Sequence, residues 1–388
     1  MKLATPIYAF SLLRVTAADC GVEGGTTVVA NPNYKIMDEL EACSTISGDI
    51  LIDPAYVYLI LNGPQEITGT IIAHENRILK AFSLPDVRKL GGFSFASPTI
   101  TTSISLSEVT EIGNLEWRNI TWEYDFEYFE WAAPKLVAVS SLNVEDTYLS
   151  GFLRDYPTYD GSSFYYNGLE QLKTADTVRV LNNHRMNEVI FPALKTVSGP
   201  LVIGNNFNTR RQRGKRDAKN MLISLPALES AGSVAVYDEK TAPPSQTGEI
   251  DLPVLSHVFG DLSITDARGV TEIHAPSLTD IDGDLYILRN RRLRTLDFPN
   301  LRRVNRIVLD AGDGYDGGFE KISFPALEEV GAFHINSVLG FDCSSLGHIR
   351  QIAREFSCLT GDGAYDSGTS SSILDHELQV QAVLNAHK

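Results

Sequence analysis

The chain has 388 residues and a formal net charge of −16, a balance that repels nucleic-acid phosphates and anionic lipid headgroups and so excludes both as partners. At 43% hydrophobic residues it holds ample material for an ordered core, which excludes general disorder. A length that suggests two domains is also reached by one array of repeats, which adds residues without adding a second core.

In chain order, residues 1–18 read as a signal peptide. Lys2 precedes an apolar run over residues 3–13, broken by Pro6, and small residues through Ala18 stand where signal peptidase would cut. Residues 19–52 read as an N-terminal cap and first coil. Four cysteines in an exported chain predict two disulfides. Cys20 and Cys43 flank the first turn, and Cys343 and Cys358 flank the last. Pairing within each couple would brace the terminal coils, where a solenoid lacks a stacking neighbour.

Residues 53–339 repeat one phrase. It reads Pro192-Ala-Leu-Lys-Thr-Val-Ser-Gly-Pro-Leu-Val-Ile203, then Pro253-Val-Leu-Ser-His-Val-Phe-Gly-Asp-Leu-Ser-Ile264, then Pro276-Ser-Leu-Thr-Asp-Ile-Asp-Gly-Asp-Leu-Tyr-Ile287. Weaker copies start at Pro85, Pro134, Pro226, Pro299 and Pro325, and one with serine in place of proline starts at Ser107. A period in the twenties predicts a solenoid of about ten coils, mainly β, and we read it as a right-handed parallel β-solenoid with short helical caps. Alternating Leu-x-Ile puts two apolar side chains on one strand face, glycine before it allows a sharp corner, and proline marks a second corner. Two short parallel strands per coil follow. Asn76, Asn183, Asn206 and Asn290 recur three residues beyond the strand and are expected to form an incomplete hydrogen-bonded ladder.

Residues 340–360 carry a helical apolar pattern, with Leu346, Ile349, Ile352, Ala353 and Phe356 on one face, and read as a C-terminal helical cap. Residues 361–388 are polar and read as a disordered tail.

Several features stand apart from the repeat. Asn119-Ile-Thr121 is a glycosylation sequon two residues past a strand. Trp122, Tyr124, Phe126 and Tyr128 alternate with acidic residues, so an extended segment would show an aromatic face able either to stack on sugar rings or to cover the solenoid. Arg210, Arg211, Arg213, Lys215 and Arg216 form a basic run in an acidic protein, expected as an exposed loop that is cleaved, binds a polyanion, or is simply solvated. Asp280, Asp282 and Asp284, and the run from Asp310 to Asp316, lack calcium-loop spacing. Outward strand positions, from Ser94 and Glu116 to Val308 and His334, supply one carboxylate where glycoside hydrolysis needs two. No catalytic, cofactor-binding or metal site is expected.

The proline-leucine phrase in register between two cysteine pairs resembles the fungal GPI-anchored cell-wall organisation family with receptor L-domain-like leucine-rich repeats, over roughly residues 20–360. The resemblance implies a secreted glycoprotein of the wall or outer plasma-membrane face. It further implies a non-catalytic role in wall integrity and, in some members, sporulation. The partners expected are wall polysaccharide or other wall proteins, with a monomeric chain and no transmembrane helix after processing. The polar end at residues 378–388 carries no evident lipid-anchor signal. The alternative reading is a secreted β-helix lyase or glycosidase acting on wall polysaccharide.

Overall fold

The computed structural model describes residues 18–29, 34–76, 78–97, 102–120, 129–147, 149, 152, 166–167, 169–183, 186, 188–206, 221–238, 247–312, 318–337, 340–360 and 365–367. They form a parallel β-solenoid of about 12 turns. The repeat phrase explains each turn. In the coil that starts at Pro192, Leu194, Val197, Leu201 and Ile203 are all buried, and the last three project inward from the strand Thr196–Gly204. The same positions recur along the molecule and make one continuous hydrophobic core.

The long strands stack in chain order into a main sheet of 16 strands, from Ala18–Val29 at one end to Glu355–Thr360 near the other. All pair in parallel until Tyr365–Ser367 adds one antiparallel strand. Shorter strands such as Tyr58–Ile60 and Glu188–Ile190 form the opposite wall as three smaller parallel sheets. A strand ladder with each coil bonded only to its neighbours makes a single array rather than two lobes.

Two corners define each coil. At the first, proline takes the second position of a β-turn, where its fixed φ is already correct and its missing N–H is not needed. The leucine amide closes that turn, as in Leu228 N to Leu225 O at 3.1 Å and Leu136 N to Ala133 O at 3.1 Å. Ser107 substitutes in one coil, where Val109 N reaches Leu106 O at 3.2 Å. At the second corner, just past the main strand, the backbone of eight coils turns through the left-handed region. Glu75, Ser97, Asn119, Asp146, Asn182, Asn205, Asp266 and Arg289 all have φ between 50° and 57°. Each of their amides bonds the next coil's carbonyl, for example Ser97 N to Arg118 O at 3.1 Å. That inter-coil bond holds the conformation against its intrinsic cost.

The asparagine ladder lies one residue beyond. Asn183 and Asn206 are buried. Asn183 Nδ2 donates to Asn206 Oδ1 at 2.8 Å and to Val144 O at 3.1 Å, and Asn206 Nδ2 donates to Val180 O at 2.7 Å. Asn76 and Asn290 do the same at Asp53 O and Ile264 O. Carbonyls that a tight corner would orphan are thereby paired.

The structure corrects the role expected of the repeat glycines. Apart from Gly260, which lies in a strand break, they lie inside the main strands, as Gly69 does in Glu66–His74, and not at a corner before them. A Cβ on Gly91 would stand 1.9 Å from the Thr68 carbonyl oxygen and one on Gly113 would stand 2.0 Å from that of Gly91. At these positions glycine is required by close backbone approach between coils rather than by a positive φ, whereas Gly48 in Cys43–Ile52 does have a φ of 88°. The turn at Leu169–Leu172, closed at 3.3 Å without proline, belongs to a coil the sequence reading passed over.

The ends also differ from expectation. Helix Tyr34–Glu41 covers the first coils with Met37 and Leu40. The C-terminal helical segment is short, a 3-10 turn over Cys343–Leu346 followed by Gly347–Ile352. Glu355–Thr360 is a strand, because Phe356 continues the core by stacking on Phe333 at 5.7 Å. Disulfides join Cys20 to Cys43 and Cys343 to Cys358.

Candidate functional site

Parallel stacking turns each outward-facing strand position into a column along the solenoid. One column begins the main strands and runs Glu66, Lys89, Glu111, Ala138, Thr174 and onward to His257, Asp280 and Arg303. Two residues further along each strand lies a column of small and polar residues: Thr68, Gly91, Gly113, Ser140, Asp176 and Ser198. Over the first coils these two columns floor a shallow open groove of about 430 Å³. Its rim carries the exposed ion pair Lys89–Glu111 at 2.9 Å, and the hydrogen bond and charge of Glu111 raise the Lys89 pKa above its ordinary value. The floor is flat because glycine is forced there by inter-coil contact.

Further along, the second column passes Gly232 and reaches Phe259. Phe259 is 59% exposed, in a column otherwise made of small or polar side chains. It sits where the main strand is interrupted, between His257–Val258 and Leu262–Thr265. Its ring stacks on His257, with centroids 4.2 Å apart and planes 28° apart, and His257 Nε2 meets Asp282 Oδ2 at 3.0 Å. Asp280 beside them is bound by Thr279 at 2.7 Å and Arg303 at 2.6 Å. Burial opposes ionisation of Asp280, but the bonds from Thr279 and Arg303 and the positive charge of Arg303 outweigh it and hold its carboxyl below the ordinary 3.8.

The acids that cluster in the sequence separate in space. Asp282 faces His257, Asp280 faces Arg303, and Asp284 accepts from Tyr286 Oη at 2.7 Å, Asn305 Nδ2 at 2.7 Å and Arg306. Burial and the neighbouring Asp284 push the Tyr286 phenol well above its usual range, so it stays protonated as a donor. Among the described residues no group of three or more His, Cys, Asp or Glu side chains is arranged to hold a metal.

The outward column read from the sequence is reproduced register by register, from Ser94 and Glu116 to Val308 and His334, with Arg179 added between Asn143 and Val202. From Val202 to Val308, however, it is buried, with Val202 and Ala235, and Tyr286 and Val308, in two small apolar clusters apart from the main core. Glu116 accepts from Ser94 at 2.6 Å and pairs with Arg118 at 2.6 Å, and Arg118 also reaches Glu145 at 3.8 Å. His74 Nε2 lies 2.7 Å from Ser94 Oγ. Here the serine stands between histidine and carboxylate, whereas nucleophile activation needs the histidine in the middle.

Asn119 is exposed at a left-handed corner, its Nδ2 bonded to Ser97 Oγ at 3.0 Å. Trp122, Tyr124, Phe126 and Tyr128, and Arg210, Arg211, Arg213, Lys215 and Arg216, lie outside the described residues. The other two tryptophans, Trp117 and Trp131, are core residues packed 5.0 Å apart. The sequence reading missed Phe259. Its signal was present in the phrase, since the residue between Val258 and Gly260 is serine or aspartate in the sister copies at Ser198 and Asp282.

No family model matches the chain, and no solved structure does. It is similar to the cell surface GPI-anchored protein ECM33 of Candida albicans, at 23% identity over 235 residues, 60% of this chain and 50% of that protein. It is also similar to the cell wall protein ecm33 of Schizosaccharomyces pombe, at 23% identity over 202 residues, 51% of this chain and 43% of that one. The matches thus span half or less of the relatives' length, and they make this chain a distant relative of fungal cell-wall proteins.

Proposed function

We propose that this chain is a secreted, wall-associated protein of the fungal cell surface that organises the wall and maintains its integrity without catalysing a reaction. The observation that carries this reading is the distant relationship, over about half of this chain or more, to two proteins named for the cell surface and the cell wall. The geometry supports it. A solenoid offers a long rigid surface suited to an extended polymer or to several wall partners. Glu116 and Glu145 share one arginine as a surface ion-pair network, which does not resemble an acid and base facing each other across a cleft. Among the described residues no helix is long and apolar enough to cross a membrane. Two disulfides fit an oxidising, extracellular setting. Exposed Asn119 is the position we assign to an N-linked glycan.

Deletion of the gene tests the reading. Mutant cells should become sensitive to wall-binding dyes and to heat, should regain tolerance when the secreted chain is restored, and should keep their wall-hydrolase activities. Normal tolerance in the deletion strain would contradict the proposed role.

A further inference from the structure

We propose that Phe259, backed by the His257 ring and flanked by Gly232 and Asp282, is a stacking subsite for one pyranose ring of a neutral polysaccharide that lies along the groove. The inference rests on the wall-associated reading and names the chemical class of its ligand.

A lone exposed apolar side chain is ordinary on a protein surface. Phe259 differs in how it is built. Its column elsewhere holds Thr68, Ser140, Asp176, Ser198 and glycines, and its coil interrupts the main strand where the ring stands out. The ring is fixed from one side by His257 at 4.2 Å, and His257 is held by Asp282 at 3.0 Å. A π face pre-positioned in this way receives the C–H face of a pyranose through dispersion and weak C–H contacts. Asp282, with its side chain 55% exposed, keeps acceptor capacity for sugar hydroxyls beside the ring. Gly232 on the other side leaves no side chain to obstruct the next residue of the chain.

Spacing supports a polymer over a single sugar. Adjacent coils stand ~4.8 Å apart, comparable with the advance of a pyranose unit in an extended chain. Phe259 lies three coils beyond Asp176 in the groove lining, about 14 Å by the same spacing. One linear saccharide can therefore stack at Phe259 while its hydroxyls meet the polar column toward the groove. The surface acids and the net charge of −16 select a neutral polymer over an anionic one.

Calorimetric titration of the purified, disulfide-intact protein with a linear β-linked glucan hexasaccharide tests the subsite. Wild type should bind, Phe259→Ala should weaken binding about tenfold, Phe259→Tyr should retain it, and Asp282→Asn should show a smaller loss. Matched urea midpoints establish that the variants are folded. Equal affinity of Phe259→Ala and wild type, or no binding by wild type, would overturn the proposal, as would self-association that depends on Phe259 in sedimentation. The deletion phenotype separates the two readings. Rescue of wall tolerance by a wild-type chain that binds no saccharide leaves the wall role and removes the subsite, whereas saccharide binding with no deletion phenotype removes the wall role.

Discussion

Asn183 illustrates what single residues do in this solenoid. Its amide donates to Val144 O and Asn206 Oδ1 and accepts from the amide and hydroxyl of Thr147, so one side chain joins three coils at a buried corner. The recurrence of asparagine at that offset was legible because only a group that both donates and accepts can serve a corner from within. The left-handed residue just before it was legible only in part. Asn119, Asp146, Asn182, Asn205 and Asp266 are of the types that enter that region most readily, whereas Glu75, Ser97 and Arg289 are not and are held there by the bond to the next coil. Asp280 yields a pH prediction. Its folded pKa lies below its unfolded value, so its pairing with Arg303 contributes in full above about pH 4 and is lost as pH falls through the depressed value. Arg303 is largely exposed, which limits the pair to less than about 1 kcal/mol. Urea denaturation should therefore find Arg303→Ala slightly less stable than wild type at pH 7 and equal to it near pH 2. A deficit that persists undiminished in acid would show that Arg303 acts through packing alone.

At the scale of the coil, the core-facing leucine, valine and isoleucine positions could be read directly because they follow the strand period. The glycine position was readable as a requirement but not as a cause, since inter-coil carbonyl approach is a property of the stack. The C-terminal cap shows the reverse failure. Leu346, Ile349 and Phe356 fit a helical face, but Phe356 gains more by adding a rung beneath Phe333 in the strand Glu355–Thr360. That final rung is tied by Cys343–Cys358, whose 15-residue separation contributes about 3 kcal/mol in the chain-entropy model. Because each coil is stabilised by its neighbours, removing the tie should act locally first. In the double variant Cys343→Ser with Cys358→Ser, hydrogen exchange should accelerate across residues 355–360 and the adjoining strand Glu329–Ser337, while Thr196–Gly204 stays protected. Uniform acceleration throughout the chain would contradict nearest-neighbour stabilisation.

Across the whole molecule, the repeat phrase made the architecture legible. The groove was not, because it arises between columns contributed by many coils, and no local motif records a column. Phe259 shows the limit well. Within its own coil it is one residue between valine and glycine, and its chemistry emerges only beside Gly232, His257 and Asp282. The central claim is that this surface holds wall polymer without turning it over. Incubation of the purified protein with insoluble fungal wall glucan, followed by assay of both the protein left in solution and the reducing sugar released, tests it most directly. The account predicts depletion of the protein from solution with no sugar released above the blank. Steady release of sugar or unsaturated product would contradict it, as would complete recovery of the protein in solution.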